Sequence, residues 1–175
     1  MKLTGTEIDQ RVRNGDIGIE PFDPGFVSSN SYDLRLAPTL EYYTQATLDA
    51  RGHNPTAETT IPEEGFVLPA GTLWIGRSVE RVTSPKFVQV LHAKSGIARL
   101  GLHVHITADL IAPGHDGHIE FHLAPTVDVR VYPNQPIAQL SFELPLGNVV
   151  TRDRSQTWSA DRAAQANANR GEFTR

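Results

Sequence analysis

Residues 117–132 read GHIEFHLAPTVDVRVY, two alternating segments either side of a proline-containing turn. In an extended chain successive side chains point to opposite faces. Ile119, Phe121 and Leu123 then share one face, and His118, Glu120 and His122 share the other. Val127, Val129 and Val131 alternate in the same way with Asp128 and Arg130. A period of two over such short segments marks half-buried strands rather than helices. Similar short, β-rich segments recur from Ile17 onward, as SYDLRL, GFVLP, LWIGRSV, KFVQVL, LHVHIT and AQLSFEL, divided by Pro, Gly and Asn turns. The residues therefore predict an all-β barrel or sandwich.

Ahead of the strands, TGTEIDQRVRNG predicts one short helix. Thr4 and Glu7 form a capping box, Ile8 and Val12 share a face, and Asn14-Gly15 stops it. TQATLDARGHNPTAETTIPEEG, residues 44–65, is polar and weakly periodic, and is expected to be a surface excursion with a solvated His53. Residues 1–150 are assigned to one β-barrel domain and residues 151–175 to a tail, in which no Leu, Ile or Val occurs. A segment so poor in core formers does not fold alone. It is read either as a disordered end or as a flap that uses Arg152, Arg154, Trp158 and Gln165 over a ligand or a neighbouring subunit.

Composition narrows the chemistry. The 175 residues suffice for one well-buried core. The absence of cysteine excludes disulfides, thiolate catalysis and Cys-ligated metals. A formal charge of −4 argues against a nucleic-acid polymer as partner but leaves a small polyanion open. With no signal-type leader and no apolar run of about 18 residues, the expectation is a soluble, cytoplasmic protein with no membrane partner.

Five of the seven histidines fall between residues 103 and 122. The row His118, Glu120, His122 has three readings. Imidazole and carboxylate side by side suit a proton shuttle near neutrality. Two imidazoles and a carboxylate also suit Zn²⁺ or Fe²⁺, with His103 and His105 as further donors. One strand spreads such a set over about 13 Å, so only adjacent members could share an ion. The third reading is a solvated or interface strand face. The start of a zinc-deaminase signature in HIE lacks its cysteine half, which excludes that class.

Three longer segments together resemble the dCTP deaminase family of the trimeric dUTPase-like superfamily. They are IEPFDPGFVSSNSYDLRL (19–36), AKSGIARLGLHVHITADLIAPGHDGHIEFHL (93–123) and YPNQPIAQLSFELP (132–145). The resemblance implies a distorted β-barrel or jelly roll and a homotrimer with sites at subunit interfaces. It also implies a deoxynucleoside triphosphate, bound with Mg²⁺, as the small-molecule substrate. On that resemblance Lys94, Ser95, Gly96 and Arg99 hold phosphates, and Gln139 lies near them or near the Mg²⁺ water shell. The strand around Thr107 and Ala108 reads the base through its backbone. The residues of AKSGIAR independently suit phosphate, since a hydroxyl, a glycine and two cations lie within six residues.

The chain also departs from the family pattern. Aligned without gaps, the family's proton-shuttling glutamate falls on His122, and Glu120 lies two residues earlier, about 6.6 Å along a strand. The sugar-binding aspartate aligns with Ala112, the aromatic under the deoxyribose with His115, and a usual arginine with Leu110. The expected activity is deamination of a pyrimidine deoxynucleotide by water attack at C4, with His122 and Glu120 handling protons. The alternatives are dUTPase-like pyrophosphate release, a nucleotide sensor without catalysis, and an enzyme for a modified nucleotide.

Overall fold

A computed structural model describes residues 1–149. Helix α1 (Gly5–Arg13) begins at Thr4, whose hydroxyl accepts from the Glu7 amide, and ends at Asn14. The strands follow as β1 (Gly18–Glu20), β2 (Tyr32–Arg35), β3 (Thr39–Tyr43), β4 (Thr56–Thr60), β5 (Phe66–Leu68) and β6 (Trp74–Ser84). After β7 (Val88–Ala93) comes a second short helix, α2 (Ser95–Arg99), then β8 (Leu102–His103), β9 (Leu110–Ile111), β10 (His115–Pro125), β11 (Val129–Val131) and β12 (Pro136–Glu143).

All pairings are antiparallel. One sheet runs β4-β3-β6-β10-β8 with β1 also on β6, a second runs β2-β12-β7-β9, and β5 pairs with β11. Tyr32, Leu34, Leu36, Leu40, Phe121 and Phe142 are fully buried in one core. In β10 the burial alternates as the sequence predicts, with Ile119, Phe121 and Leu123 inward and Glu120 and His122 half-buried on the other face.

Three expectations change in detail. Residues 44–65 are not all excursion, because Thr56–Thr60 forms β4 at the sheet edge against β3. Threonines suit a strand whose outer side faces water. LHVHIT yields only the two residues of β8. The chain then leaves the ladder and reaches Thr107 with a left-handed φ of 54°, which no regular strand tolerates. AKSGIAR, read in the sequence only for its phosphate-suited residues, forms one helical turn over Ser95–Arg99, α2, where Gly96 needs no positive φ.

The ladder between β6 and β10 slips. His118 faces Arg81 but Glu120 faces Arg77, so Ser78, Val79 and Glu80 stand opposite Ile119 alone. A bulge of this kind orphans backbone groups unless side chains answer them. Here the Ile119 amide donates to Ser78 Oγ (2.8 Å), and that hydroxyl donates to the Glu80 carbonyl (2.6 Å). His118 Nδ1 lies 3.0 Å from the Ser78 carbonyl, which can only accept, so Nδ1 carries the proton. The fully buried Glu80 carboxylate receives Arg35 through both its backbone N–H (3.0 Å) and Nε (2.6 Å).

Beyond the bulge, Arg81 grips Asp116 with two bonds of 3.0 and 3.1 Å, and Thr83 adds a third at 2.8 Å. Arg81 and then Thr83 hold the Asp116 carboxyl below the usual range, as Lys86 and Arg11 do for Asp16.

Two outcomes follow. Phe121→Ala should lower unfolding free energy in urea by about 3–5 kcal/mol, since a fully buried ring leaves a cavity. The depressed carboxyls stabilise the fold at neutral pH, and that contribution disappears as pH falls through their folded-state values, below about pH 4. The Asp16→Asn/Asp116→Asn double variant should therefore melt lower than wild type at pH 7, with the gap closing in acid when melting is followed by calorimetry.

Candidate active site

Two clusters of chemically capable side chains form, on different sheets. The first joins β2, β12 and β7. Asp33 and Gln139 are register partners, and so are Gln139 and His92. Lys94, just past β7, forms an ion pair with Asp33. Gln139 accepts from Ser31 Oγ (2.9 Å) and donates to the Ala93 carbonyl (3.4 Å). This brings Lys94 and Gln139 into one cluster. It adds Asp33 and Ser31, which the sequence reading placed only within a strand motif. The signal was there: an aspartate inside an apolar strand and a serine just ahead of it need partners when they leave water.

Ser95, Gly96 and Arg99 follow Lys94 on α2 and are exposed in the single chain. The Arg99 guanidinium has no ion-pair partner among the described residues. A serine hydroxyl and a guanidinium left open beside a lysine are suited to phosphate oxygens.

The second cluster lies on the outer face of β3, β6 and β10. His122 Nε2 is 3.0 Å from Glu120 Oε1, with about a third of the imidazole and a quarter of the carboxylate exposed. Arg77, opposite Glu120 in the ladder, pairs with the buried Glu41 at 3.2 Å. Burial pushes the Tyr43 phenol up, and the negative charges of Glu120 and Glu41 add to it. Two carboxylates, a guanidinium, a phenol and an imidazole thus share one face.

The remaining residues sort as follows. Thr107 and Ala108 are exposed in the turn after β8, and Ala112 is half-buried in the turn before β10. His115 opens β10, and its Nε2–H donates to the Gly117 carbonyl at 3.2 Å. His118 turns to Ser78 instead of joining Glu120 and His122. Among the described residues no group of three or more His, Asp or Glu is placed to hold a metal ion. The Zn²⁺ or Fe²⁺ set is therefore not gathered here. His92 bonds Ser141 (3.0 Å), with burial pulling its imidazole down. His105 buries an Nδ1 with no partner among the described residues. His53 is exposed and His103 is exposed. The tail residues Arg152, Arg154, Trp158 and Gln165 lie outside the described residues.

No helix among the described residues is long and apolar enough to cross a membrane.

Known proteins give this geometry a setting. The chain is 39% identical over 142 residues to a dUMP-forming dCTP deaminase of Hathewaya histolytica, covering 81% of this chain and 82% of that one. It is 38% identical over 149 residues to a dUMP-forming dCTP deaminase of Leptospira biflexa, covering 85% of each. Its fold matches the solved 2′-deoxycytidine 5′-triphosphate deaminase from Agrobacterium tumefaciens with a TM-score of 0.66 at 19% identity, over 82% of this chain and 48% of that one. That solved protein shares the all-β architecture. Residues 2–144 match the dCTP deaminase-like family, to which this chain belongs.

Proposed function

We propose that this chain is a hydrolase that deaminates a pyrimidine deoxynucleoside triphosphate at C4. Relatives named as dUMP-forming convert a triphosphate of cytosine into a monophosphate of uracil. That conversion consumes two waters, one replacing the amino group as ammonia leaves and one releasing pyrophosphate. Deamination and pyrophosphate release, rivals on the sequence alone, become two halves of one reaction.

The observation that carries this reading is the hydrogen-bonded Glu120–His122 pair. C4 attack needs a group that takes a proton from water and returns it to the ring nitrogen and the departing ammonia. A partly exposed carboxylate with an imidazole 3.0 Å away provides it. Lys94, Ser95, Arg99 and Gln139 are the phosphate ligands in this account, and Thr107 and Ala108 offer backbone groups to the base. Because the phosphate and proton clusters stand on different sheets, the account places each site between two copies of the chain, in a homotrimer. The Asp33 carboxylate and the Gln139 amide oxygen are hard donors of the type that suits the water shell of Mg²⁺. Bound with the triphosphate, that ion neutralises phosphate charge. The expected compartment is the cytoplasm.

Purified protein incubated with Mg²⁺ and dCTP should release ammonia and pyrophosphate in equal amounts. Pyrophosphate from dUTP with no ammonia from dCTP would instead mark a dUTPase-like enzyme, and a melting shift without turnover would mark a sensor. Lys94→Ala should raise the KM for the triphosphate by about ten- to a hundredfold, the loss expected for one charge-assisted contact.

A further inference from the structure

We propose that His122 is a positioning residue that keeps its proton on Nε2 and donates it to Glu120, leaving the carboxylate to exchange protons with the substrate. This rests on the deaminase reading and deepens it, since a gap-free alignment alone puts His122 where the family has its glutamate.

The geometry carries the assignment. Glu120 Oε1 receives His122 Nε2 at 3.0 Å. An ionised carboxylate has no hydrogen to give, so the hydrogen between them belongs to Nε2 whether the imidazole is neutral or charged. The nitrogen nearest Glu120 is therefore a donor and cannot act as a base. Neutral His122 has a free lone pair only on Nδ1, on the far side of the ring.

Glu120 keeps its second oxygen for a water. Arg77 is its ladder partner, and that guanidinium is fixed by Glu41 at 3.2 Å. Tyr43 is the other titratable group whose field meets Glu120. The imidazole thus limits the rotation of a carboxylate that has no other side-chain hydrogen bond among the described residues. An amide side chain at position 122 retains an N–H donor but has no basic nitrogen, which separates positioning from proton transfer.

The test compares wild type, His122→Gln, His122→Ala and Glu120→Gln as full chains, measuring ammonia from dCTP with Mg²⁺. Melting curves on each variant establish that it is folded. Expected is a kcat for His122→Gln within about tenfold of wild type, a loss of about ten- to a hundredfold for His122→Ala, and about 10²- to 10⁴-fold for Glu120→Gln, with KM little changed throughout. Two results overturn the proposal: His122→Gln as inactive as His122→Ala with added imidazole restoring the latter, or His122→Ala at full activity. Nitrogen-15 NMR of the resting protein gives a readout that needs no turnover. Near neutral pH the His122 ring should carry its proton on Nε2, whereas a proton on Nδ1 alone overturns the assignment even if dCTP proves not to be the substrate.

Discussion

The two surplus residues that β6 carries opposite Ile119 set the layout of the face that holds Glu120 and His122. A strand that gains residues against its partner must bend and must find new partners for the polar groups it displaces. Ser78 serves as both acceptor and donor there, its carbonyl meets the His118 ring, and the neighbouring Glu80 carboxylate is paired with Arg35. Burying Glu80 without Arg35 would strand a charge in the core, a cost of several kcal/mol. Beyond the bulge Glu120 stands beside Arg77, where an unslipped ladder would have put Val79 opposite it.

That placement decides the electrostatics of the face. Glu41 is buried and already holds Arg77, so Glu120 meets a guanidinium whose charge is partly spoken for. His122 then supplies the nearest directed hydrogen bond. The phosphate cluster follows a similar logic, since Lys94 is paired with Asp33 before any ligand arrives. On the proposed reading, a triphosphate entering there would exchange one anionic partner for another. That favours a ligand of high charge over a monophosphate, because each lost ion-pair contact must be matched.

The fold was largely legible because alternation in GHIEFHL and VDVRVY reports burial directly. The helix from Thr4 was legible because an N-cap threonine is a local signal. Edge strand β4 was not, since its polar threonines face water on one side and give no apolar period. The bulge was hidden for a different reason. Alternation in β10 continues unbroken through Ile119, and the surplus residues lie in β6, dozens of positions away. Spacing within one segment cannot report a register set by another strand. For the site, the resemblance brought out Lys94 and Gln139, and the pairing with Asp33 required strands far apart in sequence to be adjacent. The separation of His118 from Glu120 and His122 was likewise a matter of ring orientation, invisible in the i, i+2, i+4 row.

On this account Glu120 and Lys94 serve one ligand although they belong to separate sheets, and a neighbouring copy of the chain closes the gap. Subunit mixing tests that most directly. Lys94→Ala and Glu120→Gln chains, each of low activity alone when assayed at dCTP below the wild-type KM, would be unfolded together in equal amounts and refolded, with native mass spectrometry to verify hybrid oligomers. Random assembly with shared sites predicts recovery of roughly a quarter of the wild-type rate. Hybrids that form yet recover no activity would contradict the account, because both side chains would then have to come from one chain.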